Sequence, residues 1–288
     1  MSSGDRGDPA GPFDRPTSAR AYGWMLGGRD VYPVDRDILF YMLGRFPECV
    51  DIARQNRQFL YRAVRYLVQE AGIRQFLDMG CGLPTDNNVH EVAQRFEPQA
   101  RVAYVDIDPI VLAHGRALLA GHGSTTAVIT ADMRLPEAIL DDPGVIRLID
   151  FSEPVAVLFL SVGHHLKDVD KVGLGARHAV RHVIDTVAAP GSHLAFSQVV
   201  SDNPRVAEAF SAGIDASGIP WQTRSRAEVD ALFDGLEPIE PGLVNLVDWR
   251  PDPNQPPLEP VPEPLRPYSG ATERRSNVYE YGGILRKP

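Results

Sequence analysis

The sequence predicts an α/β fold: an open, mostly parallel sheet with helices on both faces, preceded by a helical segment. Three observations carry this. From Gln75 onward, short apolar runs alternate with helical patterns, the signature of repeated βαβ units. One run, Pro154–Ser161 (PVAVLFLS), is apolar throughout, as a strand buried on both faces must be. Before the first strand, about seventy residues carry helical rather than strand periodicity.

Composition sets the outer limits. The chain has 288 residues, 43% hydrophobic and 23% charged, which are ordinary globular values and exclude a wholly disordered chain. That length allows one large domain or two small ones of roughly 100–200 residues each. With 29 Lys and Arg against 38 Asp and Glu, the net charge of −9 argues against a nucleic-acid or anionic-membrane surface. Two cysteines, Cys49 and Cys81, are too few for a disulfide framework or a four-cysteine metal site. No apolar stretch reaches the roughly 18 residues of a membrane span. The N-terminal residues lack the apolar core of a signal peptide, so a cytoplasmic location is expected.

Residues 1–16, broken by proline and glycine, read as a flexible tail. Residues 17–72 read as a helical cap, with helices at about 18–26, 34–45 and 49–71. In the last, Phe59, Leu60, Ala63, Val64, Leu67 and Val68 form one apolar stripe, Arg57, Arg62 and Arg65 fall largely on other faces, and Gly72 suits a C-cap. Residues 73–288 then read as the sheet domain. Gln75–Met79 is its first strand, 88–96 a helix and Arg101–Asp106 the second strand. Pro109, in a favoured first-turn position, starts a helix running to about Ala120. Thr126–Thr130 is the third strand and Pro154–Ser161 the fourth. A helix at about 170–188 leads through the Pro190-Gly191 turn into a fifth strand, His193–Val200. Residues 203–216 and 225–234 look helical, and Pro241–Asp248 suits a strand. Within 250–268 stand eight prolines, which predicts an extended loop. Val278–Arg286 is the last strand, with Gly282-Gly283 as a bulge or bend.

In an open parallel sheet, ligands bind beyond the carboxyl ends of the strands, where the strand order reverses. The first strand ends FLDMGCG: Asp78 precedes the turn, and Gly80 and Gly82 let the backbone approach a ligand. The second ends YVDIDP, and Asp106 there can accept both hydroxyls of a ribose. After the third comes Ala131-Asp132-Met133, where an Asp can accept from an adenine amino group. Cys81, Ile107, Met133 and Ser161 stand beside these groups and complete the expected cofactor site. A nicotinamide dinucleotide would call for a third glycine, yet the run is Gly80-Cys81-Gly82-Leu83-Pro84-Thr85. The acidic Asp78 suits a ligand carrying an amine rather than a pyrophosphate. S-adenosylmethionine has an amine, a carboxylate, a ribose and an adenine, and no phosphate.

At this point the chain resembles a family. ARAYGWMLGG (19–28), NRQFLYRAVRYL (56–67), GIRQFLDMGCGLPT (72–85), NVHEVAQ (88–94), YVDIDPIVLAHGRALL (104–119), RSRAEVDALFDGLEPIEPGLV (224–244) and YEYGGILRKP (279–288) look like the actinobacterial S-adenosyl methyltransferase family, once a domain of unknown function, within the class I S-adenosylmethionine-dependent methyltransferases. The resemblance implies a Rossmann-like, seven-stranded fold with an added N-terminal helical segment. It also implies S-adenosylmethionine as methyl donor, S-adenosylhomocysteine as product, and no particular acceptor. Two positions depart from the pattern: Cys81, where Thr is expected, and Gly163, where Leu is usual.

Plainer readings stand beside these. Asp106 can serve as a helix cap before Pro109. His164 and His165, after the fourth strand, are either a proton-accepting pair or cofactor lining, because methyl transfer to an activated donor needs no obligatory base. Tyr22 and Arg57 either face the ligand from a lid, with Arg57 on the methionine carboxylate, or belong to a surface helical pair. No metal site is expected. The acceptor is expected to be a small molecule taken by a methyltransferase. A non-catalytic S-adenosylmethionine- or S-adenosylhomocysteine-binding protein is the alternative, ahead of an NAD-dependent oxidoreductase.

Overall fold

The computed structural model describes residues 13–118, 124–169, 171–274 and 277–288. Most of the expected tail, the end of the helix that starts at Pro109, and residue 170 lie outside the described residues.

Three helices open the chain: α1 (Ser18–Met25), α2 (Pro33–Leu43) and α3 (Cys49–Gln69). Proline at the first position and Asp35 in the first turn start α2, and the Asp35 carboxylate accepts the Tyr32 N–H. The sheet follows as β1 (Gln75–Met79), α4 (Val89–Phe96), β2 (Arg101–Asp106), α5 (Pro109–Leu118) and β3 (Thr126–Thr130). Two short helices, α6 (Pro136–Leu140) and α7 (Pro143–Leu148), each begun by a proline, precede β4 (Ala156–Phe159). Then come α8 (Ala176–Thr186), β5 (His193–Val200), α9 (Pro204–Asp215), α10 (Arg226–Asp230), the two-residue strands β6 (Glu237–Pro238) and β7 (Val244–Asn245), α11 (Ala271–Arg274) and β8 (Tyr279–Arg286).

The strand order is β3-β2-β1-β4-β5-β8-β6, with β7 also pairing β8. Strands β1 to β5 are parallel and β8 runs antiparallel beside β5. The strands therefore number eight, because the expected strand at 241–248 shrinks to two residues and Glu237–Pro238 adds a second short pairing. The order reverses between β1 and β4, so the loops after these two strands diverge and leave a crevice.

The α3 stripe packs with α4 and one sheet face: Phe59, Ala63, Val64 and Leu67 are buried against Phe76, Val102, Ala156 and Trp249. Each buried Val, Leu or Phe among them contributes about 1.5–3 kcal/mol by leaving water. The other face carries α7 and α8 through Val145, Leu148, Val180 and Ile184. A third cluster joins α1, α2 and the start of α3 to α9, with Leu39, Met42, Val50, Phe210 and Trp221 in it.

Three expectations need correction. Arg57 and Arg62, off the apolar stripe as read, are nevertheless buried, because α3 is covered on its second side as well. Arg62 donates to the Trp249 and Leu246 carbonyls at 2.8 and 2.6 Å and to Gln255 Oε1 at 3.0 Å. The proline-rich stretch is thus strapped to α3, and Glu263–Tyr268 within it forms a short 3-10 helix. Gly282 and Gly283 make no bulge: the β5–β8 register is unbroken from His193 opposite Arg286 to Val200 opposite Tyr279. Glycine is required for closeness instead, since a Cβ on Gly282 would lie 2.0 Å from the Phe196 carbonyl oxygen.

Candidate functional site

The turn after β1 folds across β2. The Gly80 and Cys81 N–H groups both donate to the Val105 carbonyl, at 2.8 and 3.1 Å. Gly80 sits at φ +71°, and a Cβ there would press on Val162 at 3.0 Å and Met133 at 3.2 Å. Conformation and space both demand glycine. The Gly82 N–H donates to Asp106 Oδ2 at 2.9 Å, while Asp106 Oδ1 accepts from Asp108 N at 2.9 Å. These backbone donors, with a weak bond from the Cys81 thiol to Oδ2 at 3.9 Å, fix the orientation of the carboxylate. Burial pushes the Asp106 carboxyl up, and those N–H groups pull it back.

Asp106 opens on a cavity of about 470 Å3 at the carboxyl ends of β1, β2 and β4. Gly80, Cys81, Gly82, Ile107, Asp132, Met133, Ser161, Tyr22, His164 and His165 all line it. Ile107 is 62% exposed, an apolar side chain held out on the wall. Asp132 is engaged by Arg134, whose Nε and Nη2 donate to its Oδ2 at 3.0 and 2.6 Å. The Cys81 thiol is pushed up by burial and by the Asp106 and Asp78 carboxylates, so it is a poor nucleophile.

Two predicted residues stand elsewhere. Asp78 and Arg57 line a neighbouring space of about 30 Å3, together with His90 and Tyr104. Arg57 donates to the Asp86 carbonyl at 3.1 and 2.8 Å and to Asn88 Oδ1 at 3.2 Å, and so orders the loop that follows the glycines. Burial pushes Asp78 up to about 7, against the opposing pull of Arg57.

A chain of hydrogen bonds ties β4 to the N-terminal helices. Ser161, at φ +57°, donates its N–H to Ser197 Oγ at 2.7 Å. Ser197 Oγ donates to Asn56 Oδ1 at 2.8 Å, Asn56 Nδ2 donates to the Tyr22 hydroxyl at 2.8 Å, and that hydroxyl donates to the Ala53 carbonyl at 3.1 Å. Burial pushes Tyr22 up to about 12.

Glu280, wholly buried on β8, escaped the sequence reading. Burial pushes it up to about 8, and neither carboxylate oxygen has a hydrogen-bond partner among the described residues. Its ordinary value is 4.5, so between pH 4.5 and 8 the folded chain holds a proton that the unfolded chain releases. Stability therefore falls as pH rises through that window. Glu280→Gln is expected to melt above the wild type at pH 8, with the difference shrinking towards pH 5; an advantage independent of pH would refute this.

The two histidines are neutral at pH 7. His165 Nδ1–H donates to the Pro220 carbonyl at 2.8 Å, which leaves the lone pair on Nε2, and burial pushes the ring down to about 4. His164 Nδ1 accepts from Val199 N at 3.2 Å, and its ring stacks on Trp221 with centroids 3.6 Å apart. Burial, then His165 and Arg224, push it well below its ordinary value. The Gly163 departure has a packing reason: a Cβ there would lie 2.2 Å from Phe196 Cζ, so the phenyl ring fills that space.

Among the described residues one group has metal-ligating geometry, Glu137 with His178 and His182, whose ligand atoms lie within 4.8 Å of one another. None of the three lines the cavity. The two histidines are one helical turn apart on α8, a spacing legible in the sequence. No described helix is long and apolar enough to cross a membrane.

A family model described as S-adenosyl methyltransferase matches residues 12–288. Among solved structures, a DUF574 family protein from Streptomyces avermitilis is similar at 34% identity and TM-score 0.80, over 96% of this chain and 99% of that one. A Thermobifida fusca protein, provisionally described as a methyltransferase, is similar at 40% identity and TM-score 0.79, over 96% of each chain. A geranyl diphosphate C-methyltransferase from Streptomyces coelicolor, solved with Mg2+, geranyl diphosphate and S-adenosylhomocysteine, shares the fold at 14% identity and TM-score 0.51, over 92% of this chain and 87% of that one. No curated protein matches.

Proposed function

The chain belongs to the S-adenosyl methyltransferase family and is an S-adenosylmethionine-dependent enzyme; from that premise we propose that it methylates a small molecule held beneath its N-terminal helices. The observation that carries this reading is the single cavity. One part is edged by Gly80, Gly82, Asp106 and Asp132, and another is roofed by α1, α2 and the start of α3.

The residues present fit the cofactor. The glycine turn leaves a cradle that a Cβ on Gly80 would fill, and Asp106, which lines the cavity, is the acceptor for the ribose hydroxyls. Ile107 and Met133 supply apolar surface for the adenine. Asp132, already oriented by Arg134, is the acceptor for its amino group. Asp78 lines the neighbouring space behind the glycine turn rather than the cavity, and would act on the ammonium of the amino-acid end through its charge. Arg57 acts through the 84–88 loop rather than on the carboxylate. When bound, S-adenosylmethionine supplies a methyl group activated on a sulfonium. The chain's own contribution is to hold and desolvate the acceptor, with His165 Nε2 as a hydrogen-bond acceptor towards it.

Incubation with methyl-labelled S-adenosylmethionine and a cell extract tests the proposal: label should enter the small-molecule fraction. Label confined to protein or nucleic acid would overturn it. A second consequence is electrostatic. An ammonium favours ionised Asp78, and Asp78 titrates near 7 without ligand. Affinity for S-adenosylhomocysteine should therefore rise between pH 6 and 8, by up to about tenfold. Asp78→Asn should flatten the profile, and calorimetry at three pH values would show it.

A further inference from the structure

The charged side chains on the cavity wall, Asp106, Asp108, Asp132 and Arg134, all follow β2 and β3, at the cofactor end. Away from them the wall is Met25, Ile38, Met42, Phe210, Ile219 and Trp221. Four arginines around the cavity each have a partner. Arg20 is wholly buried against Asp35, with Nε–Oδ2 at 2.8 Å. Arg57 is engaged by Asp86 and Asn88. Arg224 donates to the Gly163 and Leu166 carbonyls, to Gln198 and to Asp168. Arg134, which does line the cavity, is forked onto Asp132.

An anion entering this lobe would leave water without gaining a counter-charge, which costs several kcal/mol. An apolar molecule gains about 25 cal/mol per Å2 of surface buried. Polar recognition falls to neutral groups: the imidazoles of His164 and His165, and the Tyr22 hydroxyl.

We propose that the methyl acceptor is an uncharged, largely apolar molecule with one or a few hydroxyl-like groups, seated between α2, α9 and the Trp221 turn, and that phosphorylated or carboxylated acceptors are excluded. This deepens the reading of the cavity as a methyltransferase site and rests on it. It sets the chain apart from its fold neighbour that takes geranyl diphosphate.

The test is binding to the full chain saturated with S-adenosylhomocysteine, with saturation verified first by calorimetry. The neutral fluorophore N-phenyl-1-naphthylamine is titrated in, then displaced by 2-naphthol or by geranyl diphosphate. The loaded protein should bind the fluorophore, and 2-naphthol should displace it at least tenfold more effectively than geranyl diphosphate. Ile38→Arg places a cation on a half-buried wall position. It should weaken fluorophore binding at least tenfold, improve geranyl diphosphate binding, and leave S-adenosylhomocysteine affinity unchanged. Two results would overturn the proposal: the loaded protein fails to bind the fluorophore, or geranyl diphosphate competes with the wild type as well as 2-naphthol does. Failure to bind S-adenosylhomocysteine in the first step would remove the underlying site reading instead.

Discussion

Asp106→Ala is expected to reduce S-adenosylhomocysteine affinity at least a hundredfold while the protein still folds. A hydrogen bond to a charged acceptor contributes about 1.5–3 kcal/mol, and two ribose hydroxyls would lose theirs together. At 1.4 kcal/mol for each factor of ten, a loss of about 3–4 kcal/mol is several hundredfold. The substitution also frees the Gly82 and Asp108 N–H groups, so the glycine turn loses a tether. Asp106→Asn keeps the shape and one acceptor, and should retain intermediate affinity. Calorimetry measures all three proteins, and circular dichroism verifies the fold. Unchanged affinity in the alanine variant would remove Asp106 from the site.

The second large effect is on stability. Asp35→Ala should lower stability by about 3–5 kcal/mol, because it takes the carboxylate away from a fully buried guanidinium. Asp35 accepts from Arg20 Nε and Nη2, and from the Thr17 and Tyr32 N–H groups. One carboxylate thus joins the start of α1 to the start of α2. For a chain of this size the melting temperature should fall by about 5–8 °C. Replacing both partners, Arg20→Met with Asp35→Leu, should recover most of that loss, since the desolvated charge goes with its counter-charge. If Asp35→Ala melted within a degree of the wild type, the pair would be no keystone of the N-terminal helices.

The contrast between what was and was not legible follows interaction range. β1, β2, β3 and β5 lie where the apolar runs place them, because a parallel strand buried on both faces writes its burial into consecutive residues. The strand-end residues were legible for a related reason: glycine and aspartate at three successive strand ends are local signals, and topology alone brings them to one crevice. The burial of Arg62 is not legible in its own segment because its partners, Trp249, Leu246 and Gln255, lie more than 180 positions away. Arg57 has the right charge for a carboxylate, yet its geometry is set by a loop it holds. Glu280 sits in VYEYGGILR, where period two places it on a sheet face but does not show that α3 covers that face. The helices α6 and α7 are too short for periodicity to register; only their leading prolines announce them.

The strap over α3 and the position of β8 also bear on the order in which a nascent chain can fold. The helices α1 to α3 are made well before the groups that cover and tether them. Arg62 awaits Leu246, Trp249 and Gln255, the Asp51 carboxylate awaits the Gly270 and Thr272 N–H groups, and β5 awaits its neighbour β8. For most of its synthesis, α3 must therefore carry an uncovered flank with a buried-type arginine on it, while β5 stands as an unpaired edge. Contacts spanning more than 180 residues close only once residues 246–286 have been made, so the cooperative step waits for these later segments.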